Sequence, residues 1–268
     1  MNRTGLDLLR GALGRFVDGG GVVVGEAVGV HGATVGLSAG LVRTPLSESA
    51  AVGVGAGLAL AGKRVIVELV DPAGLGRAAE ILADLAAIAA RSGGAWSAPL
   101  VIRAPLGAGG EPPATPPLHN VYVAATADDL VGMLDAALAA GKPAVLLESA
   151  AAYADTGAGA PVAPLGAAVV RRAGAGVTVF AVGDAVGAAL AADTGAEIVD
   201  LRGLAPLDRA AIGAHVRRTG RAVIVGAPAA LGVTLTEAFL SLESPPVALP
   251  ADATPDRIAA AVPDALNF

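Results

Sequence analysis

The 268-residue sequence has no cysteine, which excludes disulfides, thiolate metal sites and cysteine nucleophiles and permits a reducing compartment. Charged residues are 16% of the chain, against about 25% in an ordinary globular protein, and aromatic residues only 3%. With a mean hydropathy of +0.66, such a composition raises the question of a membrane span. Long hydrophobic runs are nevertheless missing. The longest strongly apolar stretch, Ala50 to Gly62, lies between Glu48 and Lys63 and falls well short of the roughly 20 residues a spanning helix needs. A signal-peptide pattern is also lacking, because Met1 to Asp7 leads straight into an amphipathic segment. A cytoplasmic protein without a membrane partner is expected. An apolar excess with no span points to surface reserved for another subunit. His31, His119 and His215 are too far apart for a local zinc motif, so no metal site is expected. The net charge of −6 and the absence of a basic stretch interleaved with aromatics exclude nucleic acid.

What is present is an alternation of β-branched runs with alanine-rich segments at helical spacing. This is the habit of an α/β protein whose parallel strands are buried on both faces. Strands are expected over Val22 to Val24, Val65 to Leu69, Leu100 to Arg103, Val121 to Ala124 and Ala144 to Leu147. Helices are expected over Glu48 to Ala61, Leu75 to Ala90 and Ala127 to Ala139. Residues 149 to 166, with Gly157, Gly159, Pro161 and Pro164, read as a linker. Beyond it come strands at Val177 to Val182, Ala196 to Val199, Ala222 to Val225 and Val247 to Leu249. The helices there start at Asp184, span Asp208 to Arg218 and lie near Leu235. Two α/β domains follow, 1–150 and 167–268, joined by 151–166.

Gly36-Leu37-Ser38-Ala39-Gly40 matches the nucleophile elbow of serine hydrolases, which places a serine on a tight strand-to-helix turn. The neighbouring sequence is neither a clear strand nor a helix, and the required histidine would be His215, inside a helical pattern. A hydrolase using Ser38 is a remote alternative. Gly53, Gly55 and Gly57 do not form a dinucleotide loop, since they lie within a helix. They smooth a helix face for close approach, either inside the domain or at a subunit interface. In Thr44-Pro45-Leu46-Ser47-Glu48-Ser49, Ser47 has the chemistry of a helix N-cap and Glu48 that of a first-turn acid.

Several motifs in order carry more information than any one of them. Val22-Val23-Val24-Gly25-Glu26, Thr44-Pro45-Leu46-Ser47-Glu48, Ala59-Leu60-Ala61-Gly62-Lys63-Arg64-Val65-Ile66-Val67-Glu68 and Arg91-Ser92-Gly93-Gly94 resemble the beta subunit of thiamine diphosphate-dependent 2-oxo acid dehydrogenases. Val177-Thr178-Val179, Val199 to Asp208 and Thr219 to Val225 are similar to the transketolase C-terminal domain of the same family. The resemblance implies two doubly wound domains, a thiamine diphosphate-binding domain of the pyrimidine type and a smaller transketolase C-terminal-like one. It implies an alpha-type partner in an alpha2-beta2 assembly that supplies the diphosphate and Mg²⁺ contacts, and a lipoyl-bearing acyltransferase as a further partner. The nearest match here to the family's G-D-G metal motif, Gly183-Asp184-Ala185, lies in the wrong domain. A K⁺ ion near Val121 to Asp129, held by backbone carbonyls, is implied by analogy. Glu26, Leu46 and Glu48 fall at cofactor-binding positions. Glu48 matches the catalytic glutamate that donates a hydrogen bond to the aminopyrimidine ring, a role suited to a carboxyl whose pKa burial raises.

The sequence also departs from the family. No aromatic residue follows Glu68 to stack on the pyrimidine, since Leu69-Val70-Asp71-Pro72-Ala73-Gly74 stands there. The loop Gly107 to Leu118 is short and lacks the family's histidine, while His119 aligns with the start of the next strand. Gly226-Ala227-Pro228 replaces an acidic or histidine pair. These losses keep open a second reading, a catalytically degenerate structural or regulatory pseudo-subunit.

Overall fold

The structure, a computed structural model, describes residues 3–113 and 120–267. Thr4 starts helix α1 (Gly5–Asp18) with a capping box: its hydroxyl accepts the Asp7 N–H, and the Asp7 carboxylate accepts the Thr4 N–H. The first half of the chain then runs β1 (Val22–Gly25), β2 (Leu41–Arg43), α2 (Glu48–Leu60), β3 (Val65–Glu68), α3 (Leu75–Arg91), β4 (Leu100–Pro105), β5 (Val121–Ala124), α4 (Ala127–Ala140), β6 (Ala144–Glu148) and α5 (Ala150–Ala154). The second half runs β7 (Val169–Arg172), β8 (Thr178–Ala181), α6 (Asp184–Ala191), β9 (Glu197–Asp200), β10 (Gly203–Ala205), α7 (Arg209–Thr219), β11 (Ala222–Val225), α8 (Pro228–Ala238), β12 (Val247–Leu249) and α9 (Pro255–Leu266).

Two sheets result, ordered β10-β5-β6-β4-β3-β1-β2 and β12-β11-β8-β9-β7. All pairings are parallel except β10 on β5 and β7 on β9. Both faces of each sheet are covered, as the unbroken valine and isoleucine runs require. Val24, Val67 and Ile102 pack under α2 and α3, while Val23, Ile66 and Val101 pack under α1 and α4. In the second sheet, Val179 and Val223 meet α6 and α9, and Phe180 and Ile224 meet α7 and α8. The expected doubly wound α/β architecture is therefore the observed one. Among the described residues, no helix is long and apolar enough to cross a membrane.

The expected strands and helices lie where the patterns place them, to within one or two residues at their ends. The sequence does not reveal β2, β7 and β10, three short edge strands. Nor does it delimit α5 and α9. The stretch read as a linker is docked. Its first turn is α5, and the Asp128 carboxylate accepts the N–H groups of Ala158, Gly159 and Ala160, each at 3.1 Å. The two halves are also interleaved, because β10 from the second completes the first sheet.

The glycines of α2 divide by face. A Cβ on Gly55 would sit 2.4 Å from Val67 Cγ2 on β3, and one on Gly53 would touch Ile81 of α3 at 3.7 Å, whereas Gly57 has nothing within 4 Å. Gly55 thus brings the helix down onto the sheet. We expect Gly55→Ala to destabilise the chain by about 1–3 kcal/mol through overpacking. Gly57→Ala should stabilise it by about 0.4–1 kcal/mol, since it restricts only the unfolded chain. Urea denaturation of both variants reads the contrast, and equal effects would defeat this account of the helix.

Candidate active site

Parallel α/β sheets expose their functional groups at the carboxyl ends of the strands. Here β2, β1 and β3 are neighbours, and Glu26, Thr44 and Glu48 follow the ends of β1 and β2. The Thr44 N–H donates to the Gly25 carbonyl at 3.1 Å, tying the two strand ends together. Glu26 Oε2 and Thr44 Oγ1 are buried yet have no hydrogen-bond partner. Such orphans are costly unless something else satisfies them. Leu46 is 85% exposed in the turn before α2, an apolar side chain with no cover from this chain. Ser47 caps α2 by accepting the Ala50 N–H, which places Glu48 in the first helical turn, where the helix dipole favours a negative charge.

Glu48 differs from the sequence expectation in one respect. Its carboxylate is gripped by Arg77 of α3 through Nη2 at 2.6 Å and Nε at 3.0 Å. The hydrogen bond from Arg77, with a second from Glu48's own backbone N–H, holds the carboxyl below the usual glutamate range rather than above it. The side chain is 15% exposed and that of Arg77 58%, so the burial that was to raise the pKa is outweighed by a guanidinium that α3 supplies.

A second group of polar residues, not singled out in the sequence, lies on the opposite face of the sheet under α1 and α5. Glu68 and Glu148 close β3 and β6, Arg103 lies two residues before the end of β4 between them, and their side chains are buried. Arg103 Nε and Nη2 donate to Glu148 at 2.7 and 2.6 Å, and Nη1 donates to Glu68. Thr34 donates to Glu68 at 3.2 Å, and the Tyr153 hydroxyl of α5 donates to Glu148. Burial pushes the Glu68 pKa up despite Arg103, and burial with the adjacent Glu148 raises that of Tyr153. A cavity of about 250 Å³ opens beside the network, walled by Leu6, His31, Glu68, Leu69 and Tyr153 among others. The signal in the sequence is a charged residue in or at the end of each of three apolar strands.

The remaining sequence candidates have structural roles. Asp184, in the near match to the metal motif, accepts the N–H of Gly109 at 3.0 Å and that of Ala151 at 2.9 Å, so it joins the halves. Asp129, at the end of the segment considered for K⁺, binds Arg171 and Arg202. His215, on α7 of the second half, has its Nδ1 2.9 Å from Glu197 of β9. Ser38 is exposed in the loop between a short 3-10 turn, Gly32–Thr34, and β2. The strand-turn-helix setting of a nucleophile elbow is absent there, which removes the hydrolase reading. His119 and residues 114–118 lie outside the described residues. Among the described residues, no cluster of three or more His, Asp or Glu is placed to hold a metal ion.

The family "Transketolase, C-terminal domain" matches residues 166–262. The pyruvate dehydrogenase E1 component subunit beta of Bacillus subtilis is 32% identical over 88% of this chain and 84% of its own length. The 2-oxoisovalerate dehydrogenase subunit beta of the same organism is 34% identical over 76% of this chain and 72% of its own. Among solved structures, the split-gene transketolase in its inactive beta4 tetramer has a TM-score of 0.73 at 18% identity, covering 100% of this chain and 99% of that one. At that identity the likeness speaks to fold alone.

Proposed function

The chain belongs to the family of beta subunits of thiamine diphosphate-dependent 2-oxo acid dehydrogenases, and from that premise we propose that it supplies Glu48 to a cofactor site completed by an alpha-type subunit. The observation that carries this reading is the pairing of an acid in the first turn of α2 with two orphaned buried acceptors, Glu26 Oε2 and Thr44 Oγ1, at adjacent strand ends. Donors from an aminopyrimidine fit such acceptors, so the residues present suit that end of the cofactor. Thiamine diphosphate, when bound, supplies the carbanion stabilisation that decarboxylation of a 2-oxo acid needs.

The work left to this chain is to orient and to hold a proton. Protonated, Glu48 donates one hydrogen bond to a ring nitrogen; Glu26 accepts from an N–H; Leu46 offers exposed apolar surface that a partner chain can cover. The alpha-type subunit brings the diphosphate and Mg²⁺ contacts in this proposal, so activity requires both chains, and a lipoyl-bearing acyltransferase takes the acyl product. A degenerate pseudo-subunit is the second reading, favoured by the grip of Arg77 on Glu48 and by a glycine-bearing turn where the resemblance expects an aromatic.

Calorimetry with thiamine diphosphate and Mg²⁺, on the chain alone and on the chain copurified with an alpha-type partner, separates the two. Binding only in the complex, weakened tenfold or more by Glu48→Gln, is the expected result, since about 1.4 kcal/mol is the scale of one good hydrogen bond. A complex that assembles but binds no cofactor would select the pseudo-subunit.

A further inference from the structure

A family glutamate that must carry a proton is here engaged in an ion pair, and the local backbone explains how. Glu48 Cγ, Cδ and Cβ lie 2.2, 2.7 and 2.9 Å from the position a Cβ on Gly74 would occupy. Any residue larger than glycine at position 74 would therefore displace the Glu48 side chain. Gly74 has φ −63° and ψ −20°, an ordinary helical conformation, so backbone freedom does not demand a glycine there. What the glycine provides is the space that Glu48 fills on its way to Arg77. The Ser49 hydroxyl donates to the Arg77 carbonyl at 2.9 Å and pins the start of α3 beside the start of α2. Asp71, which caps the intervening 3-10 turn by accepting the Ala73 N–H, adds a further negative charge near Arg77.

We propose that Arg77 is a positioning residue that latches Glu48 across the gap at Gly74, so that thiamine diphosphate must displace the guanidinium before Glu48 can serve the pyrimidine. The inference rests on Glu48 being the group that meets the cofactor. A latch must also be able to open, and this one can: Arg77 is more than half exposed, and ion pairs in that setting are weak. The lowered pKa of Glu48 accords with the closed state, in which the carboxyl is ionised and has no proton to donate.

The test reads Glu48 directly. NMR titration of its carboxyl carbon in the full chain, without cofactor, should give a midpoint below the ordinary glutamate range. Arg77→Met should move that midpoint upward, and Arg77→Lys, which keeps the charge but not the two-pronged grip, should move it less. Gly74→Ala should move it upward with Arg77 still in place. In the complex with the alpha-type chain, Arg77→Met should bind thiamine diphosphate about two- to fivefold more tightly, the scale of an exposed ion pair. A midpoint unmoved by both Arg77→Met and Gly74→Ala overturns the latch irrespective of the cofactor. A moved midpoint with unchanged affinity overturns the competition. If Glu48→Gln binds the cofactor as well as the native complex, the premise fails and the proposal with it, while the titration still records the ion pair.

Discussion

Arg103→Leu is expected to destabilise the chain by about 3–5 kcal/mol, the cost of leaving buried charge uncompensated. Glu68 and Glu148 both point into the layer beneath α1 and α5, and one guanidinium serves them both. Without it, two carboxyls face each other across the space of β4 with only Thr34 and Tyr153 as donors. The protein can then relieve the repulsion only by binding protons. Burial already lifts the Glu68 pKa above its ordinary value, and the variant lifts it further. An acid raised in the folded state contributes stability that is present below its unfolded pKa and is lost as pH rises through its folded pKa. The deficit of Arg103→Leu should accordingly be largest at neutral pH and shrink as the pH is lowered. Denaturant titrations at several pH values measure it. A deficit under about 1 kcal/mol at pH 7 would mean that the network is wet or rearranges, contrary to the burial described. The triple variant Glu68→Leu, Arg103→Met, Glu148→Leu is a second check, since replacing an entire buried ionic group by apolar residues is often neutral or stabilising.

How much of this was legible in the sequence depended on whether the cause was local. Valine-rich strands buried on both faces announce themselves in short windows, which is why β1, β3, β6 and β11 fell where expected. Leu41–Arg43 and Gly203–Ala205 are strands only because β1 and β5 offer edges to pair with, and no window of the sequence contains that edge. Glu48 was legible as an N-terminal helical acid and, through the order of several motifs, as a site residue. Its partner was not, because Arg77 lies 29 residues away and comes close only when α2 and α3 pack side by side. The Glu48 pKa is lowered and not raised for that reason: the motif implies burial, but the neighbouring charge comes from the tertiary structure. Glu68, Arg103 and Glu148 are visible as charged residues in otherwise apolar strands, yet their mutual contact follows from the non-sequential strand order β6-β4-β3.

Arg202 gives the other large effect, and it concerns how the two halves hold together. The residue is completely buried and has φ +54°, a conformation that costs a non-glycine residue free energy unless its side chain is firmly engaged. Its Nε reaches Asp129 of α4 at 3.2 Å, and its remaining nitrogens donate to the carbonyls of Ala163, Pro164 and Ala167 at 3.0 to 3.2 Å. One side chain thus ties the first half, the connecting segment and the strand ends of the second half. Arg202→Leu takes the side-chain donor from the carbonyls of Ala163 and Ala167, leaves that of Pro164 with the Ala167 N–H, leaves Asp129 with Arg171 and the Thr126 hydroxyl, and should cost about 3–5 kcal/mol. Arg202→Lys should recover only a minor part, because a single ammonium cannot span acceptors on both sides. Since the connecting segment loses its anchor, limited proteolysis of Arg202→Leu should cut within 155–168 faster than in the native chain, before global unfolding. Protection equal to native there, with full thermal stability, would show that Asp128 and Asp184 suffice to dock the segment. Arg171 should not compensate, for it already serves Asp200, whose carboxyl burial pushes up to about 6. The contribution of Asp200 is present below its unfolded value and is lost as pH rises through about 6, so the Arg202→Leu protein should be cut fastest above that pH, where Asp200 is charged and one of the cluster's two guanidinium groups is gone.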